Sequence, residues 1–290
     1  MKNIGIYVNN WIFGNCSLSE VAARVARIGF DGIELVGEPE IYRVDEVNKI
    51  MGDLGLRVQS ICGMHPGPDP SDLRALCHPD AAERAKAVDY VKACVDLACG
   101  VGGRSVLVVP GLVGQPAYFV SREEDWRRAV EALASAAAYA EQAGILLTIE
   151  PINRYEVGVV YSIGDAIRMA KEINSPAIRT MGDTFHMQIE EGDGIPAAIR
   201  RAGRYWLQHL HVADNTREAP GMGTMPWREI LRSLMEIDYE GGISCEPLPR
   251  GASPYDARQG RIPAEKLDAE LAYGLRFLRE EAKIAGRFLN

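Results

Sequence analysis

Eight times along the chain, a short run of β-branched and apolar residues gives way to a longer segment with helical apolar spacing. The runs are IGIYV from Ile4, GIELV from Gly32, RVQSIC from Arg57, SVLVV from Ser105, ILLTIE from Ile145, IRTMGD from Ile178, WLQHLHVAD from Trp206 and GGISCE from Gly241. Such alternation builds a parallel sheet, because parallel neighbours need a crossover long enough to hold a helix. Eight strand and helix units close that sheet on itself, so the expectation is an α/β fold, a single (β/α)8 TIM barrel in which residues 1–290 form one catalytic domain. A doubly wound open sheet fits less well, since no Gly-x-Gly-x-x-Gly turn follows the first strand.

Local signals support the helices. Ser17 precedes LSEVAARVARIG with Glu20 three residues on, the spacing of a capping box, and Gly29 suits the helix end. Pro226 is placed at the first helical position of PWREILRSLMEI, and Gly241-Gly242 reset the chain into the last strand. Two segments, PGPDPSD after the third strand and RGASPYDARQG after the eighth, read as long loops. Both follow strand C-termini, the end at which barrels carry their sites.

Composition narrows the partners. With 47% hydrophobic and 25% charged residues the chain can bury a large core, and a net charge of -8 without a basic run opposes nucleic acid or an anionic membrane. The six cysteines, Cys16, Cys62, Cys77, Cys94, Cys99 and Cys245, lack metal-finger or redox spacing and read as reduced thiols in a cytoplasmic protein. The N-terminus lacks the pattern of a secretory signal, and no run approaches the ~20 apolar residues of a membrane span.

Four ionisable residues stand where the last four strands should end: Glu150 in LLTIEP, Asp183 in TMGDTFH, His211 in LQHLHVAD and Glu246 in ISCEP. A single carboxylate there could equally cap the next helix or form a surface pair. Gathered at one rim, however, the four would repel one another or stay unpaired unless a cation neutralised them. Three carboxylates and one imidazole suit one divalent ion, Mn2+ or Mg2+, with Co2+ or Zn2+ as competitors. His209, two residues before His211, faces inward one layer deeper and fits a supporting role, whereas Cys245 points away from Glu246 into the layer between sheet and helices. Glu34 reads either as a support to the site or as a salt-bridged residue. Tyr7, Trp11, His65, Phe185 and Met222 are possible apolar walls for a substrate, with Trp11 and His65 the ones retained as substrate-binding.

NRYE after IEP, the D-x-x-H of Asp183 to His186, HLHVADNTR, PGMGTMPW and CEP together resemble the ketose 3-epimerases of the xylose isomerase-like barrel superfamily, the D-tagatose, D-psicose and L-ribulose 3-epimerases. The likeness follows strand order along essentially the whole chain, with its discriminating motifs between Glu150 and Pro247. It implies that Glu150, Asp183, His211 and Glu246 ligate the metal, Mn2+ before Mg2+ or Co2+. It further implies that Glu150 and Glu246 are the acid/base pair for C3 epimerisation through a cis-enediolate. Glu156, His186 and Arg217 would bind the O1 to O3 end of a free sugar, and the protein would be a homodimer or homotetramer.

Three other activities were open at the level of residues. An inosose or hydroxypyruvate isomerase or dehydratase would use the same metal site, but Glu156 and Arg217 favour a ketose. An endonuclease IV-type phosphodiesterase shares the D-x-x-H, yet DNTREAPGMG lacks the further Asp-x-His ligands of a trinuclear centre. A protein that only binds sugar has no use for two carboxylates about a metal.

Overall fold

The structure, a computed structural model, describes residues 4–63 and 71–287. Eight parallel strands form a closed barrel in sequence order: β1 (Ile6–Asn9), β2 (Gly32–Val36), β3 (Arg57–Cys62), β4 (Ser105–Val108), β5 (Leu146–Ile149), β6 (Ile178–Asp183), β7 (Leu207–Val212) and β8 (Gly242–Cys245). The last pairs with the first, Tyr7 opposite Ser244. Closure leaves no free sheet edge, so every strand carries ladder bonds on both sides.

The helices between them are α1 (Leu18–Ile28), α2 (Val44–Asp53), α3 (Ala81–Val101), α4 (Arg122–Ala143), α5 (Ile163–Ile173), α6 (Thr184–Glu190), α7 (Ile195–Trp206) and α8 (Trp227–Glu236), with α9 (Pro254–Arg258) and α10 (Ala264–Arg287) after β8. Ser17 Oγ accepts the Glu20 N–H at 3.3 Å, and Gly29 ends α1 with φ 100°, a left-handed conformation that glycine adopts without a Cβ clash. Arg24 of α1 pairs with Asp268 of α10 at 2.7 Å, which ties the first helix to the last around the ring. Ile33, Leu35, Ile61, Leu107, Leu147 and Ile149 are fully buried in the core of sheet and helices.

Two details differ from the sequence expectation. Pro226 precedes α8 as its N-cap, with ψ 64°, so the helix starts one residue later. The RGASPYDARQG segment is not all loop: it folds α9, with a reciprocal capping box between Ser253 and Asp256.

Two strands carry an extra residue. Ile33 pairs with Val58 but Leu35 with Ile61, and Thr180 pairs with Leu207 but Met181 with His209. Each bulge re-aims the side chains that follow it. No described helix is long and apolar enough to cross a membrane, and all six cysteines are free.

Candidate active site

The site is built from the ends of strands. Glu150 and Glu246 lie just past β5 and β8, Asp183 ends β6, and His211 sits in β7; all four are buried. One atom each from Glu150, Asp183 and His211 lies within 4.8 Å of the others, a spacing suited to a shared metal ion. Glu246 joins them: its Oε2 stands 3.3 Å from His211 Nδ1, and Glu150 Oε1 is 3.5 Å from the same nitrogen.

Beneath His211 lies Glu34 of β2, whose Oε2 accepts from His211 Nε2 at 2.8 Å and from His209 Nε2 at 3.1 Å. Burial opposes charge on Glu34, but the two imidazoles outweigh it and hold the carboxyl well below the ordinary range. A carboxylate can only accept, so the ring hydrogen must lie on Nε2. His211 Nδ1 therefore faces the three upper carboxylates and has no hydrogen-bond partner of its own. Burial also disfavours charge on His211, yet Glu246 and Glu34 raise it well above the usual imidazole value. The negative field that favours a proton there would equally favour a divalent cation in its place.

Asp183 reconciles two readings of a strand-end carboxylate. Its Oδ1 caps α6, accepting the Phe185 N–H at 2.7 Å, while Oδ2 is buried without a hydrogen-bond partner. An orphaned buried carboxylate oxygen is costly unless something positive occupies the space before it. Burial works to raise Asp183, but His186 and Arg217 overcome it and hold it down. Glu246 goes the other way: burial pushes it up to about 8, against the pull of His211. These donors fit a hard divalent cation.

Around this centre is a cavity of about 400 Å³, lined among others by Trp11, Glu156, Phe185, His186 and Arg217. Arg217 Nη2 donates to Glu246 Oε1 at 3.3 Å, its Nη1 is 3.8 Å from Glu156, and its guanidinium lies 4.7 Å over the Phe185 ring. Arg217 holds φ 62°, a conformation costly for a residue with a Cβ. His186 Nε2 is 3.6 Å from Asp183. Trp11 is not merely an apolar wall, since its Nε1 donates to Glu246 Oε2 at 3.1 Å. Cys245 is buried, and His209 takes the supporting position expected of it. Tyr7 and Met222 are not among the lining residues, and Tyr7 instead faces the opposite end of the barrel. His65 lies outside the described residues.

Sequence reasoning missed Asn9, Asn153 and Asp214. Asn9 Nδ2 is within 3.5 Å of both Glu34 and Glu246 and so bridges the two layers of the site. Asn153, inside NRYE, donates to Glu156 at 2.9 Å and contacts His186 Nδ1 at 2.7 Å. Asp214 is fully buried and accepts from Asn215 N, Gly221 N, Met225 N and Trp227 Nε1, so one carboxylate organises the loop that carries Arg217. Its place in HLHVADNTR was a signal, as a buried Asp directly after a strand commonly collects backbone donors.

The chain is similar to several known sugar epimerases. D-psicose 3-epimerase of Ruminiclostridium cellulolyticum is 32% identical over 231 residues, covering 78% of this chain and 77% of its own. D-psicose 3-epimerase of Agrobacterium fabrum is 32% identical over 255 residues, covering 84% of each. A solved L-ribulose 3-epimerase shares the fold with a TM-score of 0.86 at 24% identity, covering 99% of this chain and 97% of its own. The match to the family described as xylose isomerase-like TIM barrel runs over residues 22–281, and the chain belongs to that family.

Proposed function

We propose that the chain epimerises a free ketose at C3, with Glu150 and Glu246 as the acid/base pair and Glu150, Asp183, His211 and Glu246 holding one divalent ion, Mn2+ before Mg2+ or Co2+. The observation that carries the reading is a pair of buried atoms that make no hydrogen bond, Asp183 Oδ2 and His211 Nδ1, set with the two glutamates beside a cavity of about 400 Å³. Relatives named as ketose 3-epimerases support the same chemistry.

When bound, the ion supplies Lewis-acid polarisation of the ketone, which makes the neighbouring C–H acidic. This chain's residues do the rest. One carboxylate takes the proton from C3, and the other returns a proton to the opposite face, so the substrate and product differ only in configuration. Trp11 and Arg217 fix Glu246 from two sides, while Glu156 and His186, joined through Asn153, offer polar contacts to the O1 to O3 end of the sugar. The cavity's remaining wall includes the apolar side chains of Val113 and Ile152, which limit water beside the reacting carbon.

The reading extends to residues 1–290 as one catalytic domain, working as a homodimer or homotetramer in the cytoplasm. Six free cysteines suit a reducing compartment.

Incubation with Mn2+ in deuterated water, against D-fructose, D-tagatose, inososes and hydroxypyruvate, tests the activity. Deuterium should enter C3 of a ketose as its epimer appears, and Glu246→Gln should abolish both. Epimer formation without exchange, or full activity in the variant, would refute the assignment.

A further inference from the structure

At the other end of the barrel, where the strands begin, a second cavity of about 260 Å³ is lined by Tyr7, Arg57, Gln59, Arg104, Tyr239 and Glu240 among others. We propose that it binds a small phosphate-like oxyanion, held by the guanidinium groups of Arg57 and Arg104 at the rim and by Gln59 and Tyr7 from inside the barrel.

Two buried side chains point to a ligand. Tyr7 is 5% and Gln59 6% exposed, and what remains open of each faces the cavity that both line. No side-chain hydrogen bond joins either to another described residue, so their polar ends are left to meet water or a bound molecule there. The extra residue of β3 between Val58 and Ile61 lies at this point of the strand. It lets Gln59 turn into the lower cavity while Cys62 still lines the upper one.

The chemistry of the lining selects an anion. Arg57 and Arg104 offer forked N–H donors, the Gln59 amide offers two more, and the Tyr7 hydroxyl one. Burial raises Tyr7 above its ordinary value, so the hydroxyl keeps its proton at neutral pH and can donate. Two acids stand close by: Glu240 lines the cavity and pairs with Arg204 at 3.1 Å, and Asp31 accepts the Ile6 N–H at 2.8 Å. Arg104 gives one donor to the Glu240 carbonyl at 3.2 Å and retains the others. The chain's overall charge of -8 makes a paired-arginine cavity unexpected as a solvation device. None of this depends on the epimerase reading.

The test titrates metal-loaded protein, freed of excess metal, with inorganic phosphate at constant ionic strength, followed by calorimetry and thermal unfolding. Wild type should show saturable binding at one site, weakened roughly ten- to hundredfold in Arg57→Ala and in Arg104→Ala. Arg57→Lys, which keeps the charge and loses the fork, should fall between. Glu246→Gln should leave phosphate binding unchanged. Absence of saturable binding, equal binding in the arginine variants, or loss of binding in Glu246→Gln alone would each overturn the proposal. Unfolding without phosphate separates lost binding from lost folding, because Arg57 and Arg104 are exposed and their removal should not shift the midpoint.

Discussion

Glu34 holds His211 through a 2.8 Å bond to Nε2, and this contact decides which nitrogen His211 offers to the upper site. Outer carboxylates of this kind fix a histidine's tautomer and raise its basicity as a ligand. Glu34→Gln keeps an acceptor but removes the charge. It should weaken metal affinity roughly 10- to 100-fold, as read by titration of the metal-free protein with Mn2+ or Co2+. Unchanged affinity would show that Glu34 only fills space.

Metal removal should destabilise the fold as well as silence the enzyme. Without the ion the buried carboxylates are offset only by protons and by Arg217, and an ion bound only by the folded state stabilises it by about 2.7 kcal/mol at a hundredfold excess over its dissociation constant. Thermal unfolding after exhaustive chelation, then after Mn2+ is restored, measures this. A midpoint indifferent to metal would contradict the ligand set.

Arg217 combines a guanidinium that lines the cavity and bonds Glu246 with a left-handed backbone. Arg217→Ala should cut kcat/KM roughly 100-fold or more while keeping the strained φ. Arg217→Gly should be as inactive yet about 1 kcal/mol more stable than Arg217→Ala, since glycine bears φ 62° without the Cβ clash. Denaturant midpoints of the two variants provide the comparison.

Glu190, at the end of α6, accepts the Arg154 backbone N–H at 2.8 Å and pairs with its guanidinium at 2.6 Å. Burial works to raise Glu190, but the Arg154 bonds prevail and hold it below the ordinary carboxylate value. A lowered carboxyl adds stability that is present above its unfolded value of about 4.5 and lost as pH falls through the folded one. The stability gap between wild type and Glu190→Gln should thus be full at neutral pH and close on acidification below that value. A gap independent of pH would mean that the charge is not what Arg154 requires.

The barrel was legible because its signal is repetitive: eight apolar runs, each with a helical segment behind it, leave few topologies. Glu150, Asp183, His211 and Glu246 were legible for a related reason, as strand ends in a parallel barrel share one rim. Glu34 stayed ambiguous because one acid inside GIELV looks the same whether it pairs with a surface lysine or with two histidines across the barrel. The setting of Gln59 was hidden because the bulge that turns it is a property of the β2–β3 pairing, not of RVQSIC alone. Trp11 was selected for its ring, while its contact with Glu246 is made by the indole N–H. Tyr7 was offered as a possible wall for its ring alone, but it lies near the start of β1, whereas Trp11 lies beyond its end.

Asp214 binds the loop behind β7 at four points, one of them the indole of the first residue of α8. Loop and helix are thereby held together through one carboxylate. Three of its four donors are backbone N–H groups, so a relative's 215–226 segment can be grafted between Asp214 and Trp227 only where its backbone follows the same path around that carboxylate.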